Sequence, residues 1–200
     1  VMLGFISGAT AVGYYTGATK LTRMLLGIVT ALGTVMIPKM SHLHASGNKD
    51  EFDRLARKSL GFVNFISLPM AAGLAILAPS LINVFCGASY TPAADTLLII
   101  SPIILFISLS NVTGIQILYP QGRERTVIIS TLIGAVLNFI LNLILIPEYQ
   151  QNGAAAATVV AELSVTLSQV IIAGKYIPGK IVSAGYANYY IGTVLMSAVC

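Results

Sequence analysis

Long apolar blocks separated by short polar interruptions run the length of the chain. A helix needs about 20 mainly apolar residues to cross the roughly 30 Å hydrocarbon core of a bilayer. Five blocks reach that length, at about 15–38, 59–85, 93–119, 126–146 and 153–174, and a sixth opens near 187. The pattern predicts an all-α, polytopic transmembrane helical bundle. Residues 1–12 read as the end of a preceding span and an outer loop, 13–174 as a five-span bundle, 175–186 as a cytoplasmic loop and 187–200 as the truncated start of a further span. The chain thus reads as a fragment of a longer protein, and Val1 opens no basic, apolar and small-residue series of the kind that marks a signal peptide.

Pro69, Pro79 and Pro102 fall inside these blocks, where a membrane helix tolerates them as kinks. Pro79 together with Gly87 offers an alternative, a short interfacial helix split off before Thr91 and Pro92. Composition agrees with the spans: 56% of residues are apolar and 9% charged, against roughly 45–50% and about 25% in soluble domains. The mean hydropathy is +0.86.

Sidedness follows from Lys and Arg in the connections, because cytoplasmic loops collect them. The counts are five in 39–58, none in 86–92, two in 120–125, none in 147–152 and two in 175–186. This alternation assigns loops 39–58, 120–125 and 175–186 to the cytoplasm and Gly13–Tyr15, Cys86–Thr91 and Glu148–Asn152 to the outer side. In the first basic loop Asn48 is placed to cap a short helix, with Asp50 and Glu51 in its first turn and Arg54, Arg57 and Lys58 in its last. That helix is expected at the inner surface, its basic end against anionic headgroups.

Ionisable residues at membrane depth are costly unless paired or wetted, and Lys20, Arg23 and Glu162 are of this kind. On the first span Thr16, Lys20, Arg23, Gly27, Thr30 and Thr34 recur at steps of four and three and share one face. Thr131, Gly134, Asn138 and Asn142 do so on the fourth span, and Thr158, Glu162, Thr166 and Gln169 on the fifth. At about 1.5 Å rise per residue, Arg23, Asn138 and Glu162 all lie on the order of 12–14 Å from the outer ends of their helices. Turning three such stripes toward one hydrated interior would relieve all of them. A substrate cavity is therefore expected, lined by Lys20, Arg23, Thr30, Asn138, Asn142, Glu162 and Gln169. In it Lys20 and Arg23 would receive an anionic head and Glu162 would balance their charge. The competing use of the Thr and Gly positions is close helix packing, and that of Lys20 is snorkelling to the outer headgroups.

Enzyme chemistry is not encoded. Cys86 and Cys200 build neither a redox motif nor a disulfide framework, and His42 and His44 have no Cys or carboxylate at ligand spacing, so no metal and no cofactor is predicted. There is no nucleophile elbow, Walker loop or dinucleotide fingerprint. The basic pI of about 9.1 is explained by membrane sidedness and calls for no nucleic acid.

The run AVGYYTGATKLTRMLLGIVTALGTVMIPKMSHL at 11–43 resembles the start of the second bundle of polysaccharide and O-antigen flippases of the multidrug/oligosaccharidyl-lipid/polysaccharide exporter superfamily. GASYTPAADTL at 87–97 is similar to the same family, as are QGRERTVIISTLIGAVLNFILNLILIP and GAAAATVVAEL within 121–163. The resemblance implies a two-bundle transporter with a central cavity, of which this chain would be the C-terminal bundle. It further implies an undecaprenyl-pyrophosphate-linked oligosaccharide as substrate, moved to the outer leaflet of a bacterial plasma (inner) membrane for O-antigen, capsule or exopolysaccharide assembly. Cavity cations of that family match Lys20 and Arg23 by position in GYYTGATKLTR, and Glu162 is matched by position in TVVAE. Membrane lipids, the missing N-terminal half of the chain and the polysaccharide polymerase machinery are the partners so implied. Glu162 is also the carboxylate placed for coupling to H+ or Na+. Rival readings are a drug or cation antiporter or a peptidoglycan lipid precursor flippase of the same superfamily, and an integral-membrane glycosyltransferase or polymerase, for which no outer loop is long enough. One bundle supplies one wall of a cavity, so the isolated chain is expected to be inactive.

Overall fold

The structure is a computed structural model that describes residues 1–176, apart from the side chains of Leu32 and Ala173. No strand occurs among the described residues. Helix α1 (Met2–Ala45) is broken at Gly8, whose φ of 82° suits a residue without a Cβ. The expected outer loop before residue 13 is therefore helical on both sides of this single break. α1 ends where Ser46 donates its N–H to the His42 carbonyl at 2.9 Å.

Asn48 caps α2 (Lys49–Ile76), its Oδ1 accepting the Glu51 N–H at 3.3 Å. The cap lies where the sequence puts it, but the helix does not stop at Lys58: Phe52, Ala56, Ser59, Leu60, Val63, Ser67 and Leu74 bury one continuous face. In the exposed first turn Arg54 donates to Glu51 at 2.6 Å, and this hydrogen bond holds the Glu51 carboxyl below its ordinary pKa.

The block expected at 59–85 divides at Leu77 into α2 and a short α3 (Ala78–Cys86) that carries Pro79 in its first turn and halts at Gly87. A single 3₁₀ turn (Ala88–Tyr90) leads to α4 (Ala93–Ile100) and α5 (Ile103–Ser110), and the backbone continues as a π-helical stretch from Asn111 to Leu118. Together Ala93–Leu118 is long and apolar enough to span a bilayer.

The two blocks at 126–146 and 153–174 are limbs of α6 (Glu124–Ala173), folded back at Gln150, which has a φ of 48°. Gly153 makes that fold tight, since a Cβ there would run into the backbone of Leu145 and Ile146. Higher up, a Cβ on Gly134 would meet the Val165 side chain and the Ala161 carbonyl, so the limbs touch backbone to side chain. A last 3₁₀ turn (Gly174–Tyr176) closes the described chain. The remainder of the loop expected at 175–186 and the span expected from 187 lie outside the described residues.

Three apolar clusters pack among the described residues, the smallest of them Leu3 and Ala11 with Ile146 and Ala154 where α1 meets the fold-back of α6. Met40, Phe52, Leu60 and Val63 pack with Val112, Ile117 and Leu118 at one end. Ala18, Leu74, Ile82, Leu97, Ile100, Ile104 and Ala155 pack at the other. The ends differ in charge. Leu43, Lys49, Gln121 and Lys175 border one cavity, so the three basic connections gather at a single end. At the opposite end Tyr14 meets the Tyr90 ring edge-on at 5.6 Å, and Thr96 donates to Asn152 at 2.6 Å, which brings the charge-poor segments together.

Candidate functional site

At about 100° per residue, α1 presents three different faces. Ala18, Thr22, Leu26 and Val29 are buried against the bundle, Met24, Ile28 and Val35 are exposed and apolar, and Thr16, Lys20, Arg23, Gly27 and Thr34 are exposed and polar. Thr30, at the edge of the polar face, is half-buried and donates to the Leu26 carbonyl at 2.9 Å. The polar stripe of α1 therefore looks away from the other described helices, on a face separate from the one fitted to acyl chains.

The stripe on the second limb of α6 is used otherwise. Thr158 meets Tyr15 of α1 at 3.1 Å, Thr166 donates to the Phe106 carbonyl of α5 at 3.0 Å, and Gln169 accepts a short hydrogen bond from Thr113 of the π-helical stretch. Gln169 is 2% exposed, so it is an interhelical tie within the bundle. Glu162 stands one turn from both Thr158 and Thr166, half-buried, on the edge that faces α1 and α5.

On the first limb Asn142 donates its amide to Asn138 at 2.8 Å, and both are half-buried. The seven residues are thus not gathered around one chamber by mutual contacts. Among the described residues no ion pair or hydrogen bond joins Lys20 or Arg23 to Glu162. Packing and bonding around α6 take Gly134, Thr158, Thr166 and Gln169, while Lys20 and Arg23 are left with Thr16, Gly27 and Thr34 on an open face.

Sequence reasoning overlooked a second set of polar groups. Asn64, Ser67 and Gln116 are almost fully buried, and one oxygen of each has no hydrogen-bond partner among the described residues. Gly33 packs so closely that a Cβ would strike the Asn111 amide. A count of polar residues on α2 and on 108–116 would have flagged them; their burial depends on the π-helical register, which the sequence pattern does not announce.

A bundle with four helices long and apolar enough to cross a bilayer among its described residues, one of them carrying cations on an open face, is a membrane-transporter architecture. A family model described as Lipid II flippase MurJ matches residues 4–200, and the chain belongs to that family. It is 30% identical over 166 residues to a protein of Escherichia coli (strain K12) named "Putative O-antigen transporter", an alignment covering 83% of this chain and 40% of that one. It is 27% identical over 160 residues to "Lipid II flippase MurJ" of Bacillus subtilis (strain 168), covering 78% of this chain and 29% of that one. The chain therefore spans well under half the length of these relatives. A solved structure of "Lipid II flippase MurJ, inward closed conformation" has the same fold, with a TM-score of 0.83 at 19% identity over 99% of this chain and 42% of that one.

Proposed function

We propose that the chain is one bundle of a flippase that carries a polyprenyl-pyrophosphate-linked saccharide across a bacterial plasma membrane, with its basic end in the cytoplasm. The observation that carries this reading is the exposed polar face of α1, on which Lys20 and Arg23 stand apart from both the packing face and the apolar face. A pyrophosphate head cannot enter hydrocarbon unaided, because stripping its water shell is costly without compensating charge. A cationic wall with hydroxyls above and below replaces that shell, while the lipid tail stays in the bilayer. The remaining length of the protein supplies the facing wall, and movement of one bundle against the other exposes the passage to each side in turn.

Two saccharide lipids fit this chemistry. The likeness to an O-antigen transporter favours an oligosaccharide destined for surface polysaccharide, and the family match favours the peptidoglycan precursor. We favour the surface-polysaccharide substrate. The test is deletion of the gene and complementation with the full-length protein carrying either wild-type Arg23 or Arg23→Ala. Loss of surface polysaccharide, restored by the first and not by the second, supports both substrate and site. Cell lysis with intact surface polysaccharide assigns the peptidoglycan precursor instead, and full rescue by Arg23→Ala removes the cationic face from the mechanism.

A further inference from the structure

At the basic end of the bundle a cavity of about 330 Å³ opens between the α1–α2 turn, the α5–α6 connection and the end of α6. His44, Lys49, Phe52, Asp53, Lys175 and Tyr176 are among its walls. Tyr176 is fixed at its backbone and at its ring: Gln121 donates to the Tyr176 carbonyl at 3.0 Å, and the Arg123 guanidinium lies 4.1 Å from the ring centre. The Lys175 ammonium comes within 5.0 Å of the same centre.

Two cations therefore converge on one aromatic ring, with Lys49 across the cavity. The walls themselves carry Lys49 and Lys175 against the single carboxylate of Asp53, and Arg123 adds its charge beside the Tyr176 ring. No ion pair joins Lys49, Arg123 or Lys175 to a carboxylate among the described residues. An unbalanced cationic pocket roofed by aromatic carbon suits a ligand with an anionic oxygen cluster and a carbon stem. Two ammonium groups bind the oxygens of a phosphate as point charges, and the volume lies at the small end of ligand pockets, roughly 300–1,000 Å³. The pocket is far along α1 from Lys20 and Arg23 and bears no relation to the passage proposed above.

We propose that this cavity is a binding site for the phosphate of an anionic membrane lipid headgroup, gripped by Lys49 and Lys175 with the glycerol carbons against Tyr176 and Phe52. Its position where the three basic connections meet places it at the anionic surface of the bilayer, where cations and aromatic rings both reside. A free phosphate in solution offers the same chemistry, so the test separates the two.

Full-length protein, wild type or variant, is purified in detergent and incubated with micelles containing phosphatidylglycerol or phosphatidylcholine, with or without excess inorganic phosphate. Bound lipid is counted by native mass spectrometry. Retention of phosphatidylglycerol over phosphatidylcholine is expected, with a loss of roughly tenfold in the double variant Lys49→Gln/Lys175→Gln, whose two missing cations remove most of the surface attraction. Lys49→Arg, which keeps the charge, should retain most of the binding. Equal phosphatidylglycerol retention in wild type and the double variant overturns the site. Complete displacement by inorganic phosphate overturns the lipid assignment in favour of the free anion.

Discussion

The hydroxyls of Tyr15 and Thr158 stand 3.1 Å apart and tie α1 to the second limb of α6. Thr158 already gives its proton to the Ala154 carbonyl at 2.8 Å, which leaves Tyr15 as the donor in this pair. Tyr15→Phe therefore removes one interhelical bond without orphaning Thr158. The expected loss is about 0.6 kcal/mol, the average for such bonds between membrane helices. A double-mutant cycle with Thr158→Val, read from unfolding in detergent, checks it, and zero coupling would show that the two hydroxyls are merely adjacent.

Gly114 and Gln169 form a tighter joint. A Cβ on Gly114 would lie 2.9 Å from the Gln169 amide nitrogen, the same side chain that accepts from Thr113. Gly114→Ala must push Gln169 aside and break that bond, at an expected cost of about 1–3 kcal/mol. Truncating the obstacle should recover part of the loss, so Gly114→Ala/Gln169→Ala is expected to be more stable than the two single effects added. Strict additivity in thermal unfolding would mean that the two residues do not share the joint.

The long apolar runs were legible because a bilayer demands them, and the four membrane-length helices among the described residues lie on them. The Asn48 cap was legible for a similar reason: a short amide ahead of Asp50 and Glu51 has few other uses. The stripes were legible as stripes, but not their partners. Thr166 and Gln169 repeat at the same helical spacing whether they line water or bond to Phe106 and Thr113, and only the packed helices decide between the two. The π-helical register at 111–118 was beyond reach, since it depends on the fit of Gly33 to Asn111 and of Gly114 to Gln169 across distant segments.

The fold-back of α6 carries strain at a known place. Gln150 has φ 48° and ψ −124°, a region that glycine enters freely and a residue with a Cβ does not. Gln150→Gly is expected to raise stability by about 1 kcal/mol, the strain relieved less the added freedom of the unfolded chain. Three residues on, Gly153→Ala should do the opposite and more strongly, because the obstacle is the Leu145 backbone rather than a side chain that can swing away. Melting temperatures of the two variants should move in opposite directions; a parallel shift would contradict the geometry.

At the start of α2 the Asn48 side chain satisfies the Glu51 N–H. Asn48→Ala is expected to cost about 1 kcal/mol, whereas Asn48→Asp should be nearly neutral, since a carboxylate caps as well as an amide. Chemical unfolding of the two variants checks this, because Asp keeps the volume and the capping oxygen of Asn while Ala keeps neither; an equal loss in both would show that the capping oxygen contributes nothing.

Glu162 lies within a helix long and apolar enough to cross a bilayer. It stands on the packing edge of α6, half-buried, between the Thr158 contact to α1 and the Thr166 contact to α5, with no cation paired to it among the described residues. A charged group in that position is tolerated only where water or a cation reaches it, and a movement of α1 against α6 would alter both. If proton exchange at Glu162 accompanies translocation, the uncharged and nearly isosteric Glu162→Gln should fold with an unchanged melting temperature. It should also flip substrate more slowly, with a flattened pH profile, in vesicles containing the full-length protein. Transport that keeps both its rate and its pH profile in this variant would take Glu162 out of the mechanism, leaving the cationic face of α1 to act alone.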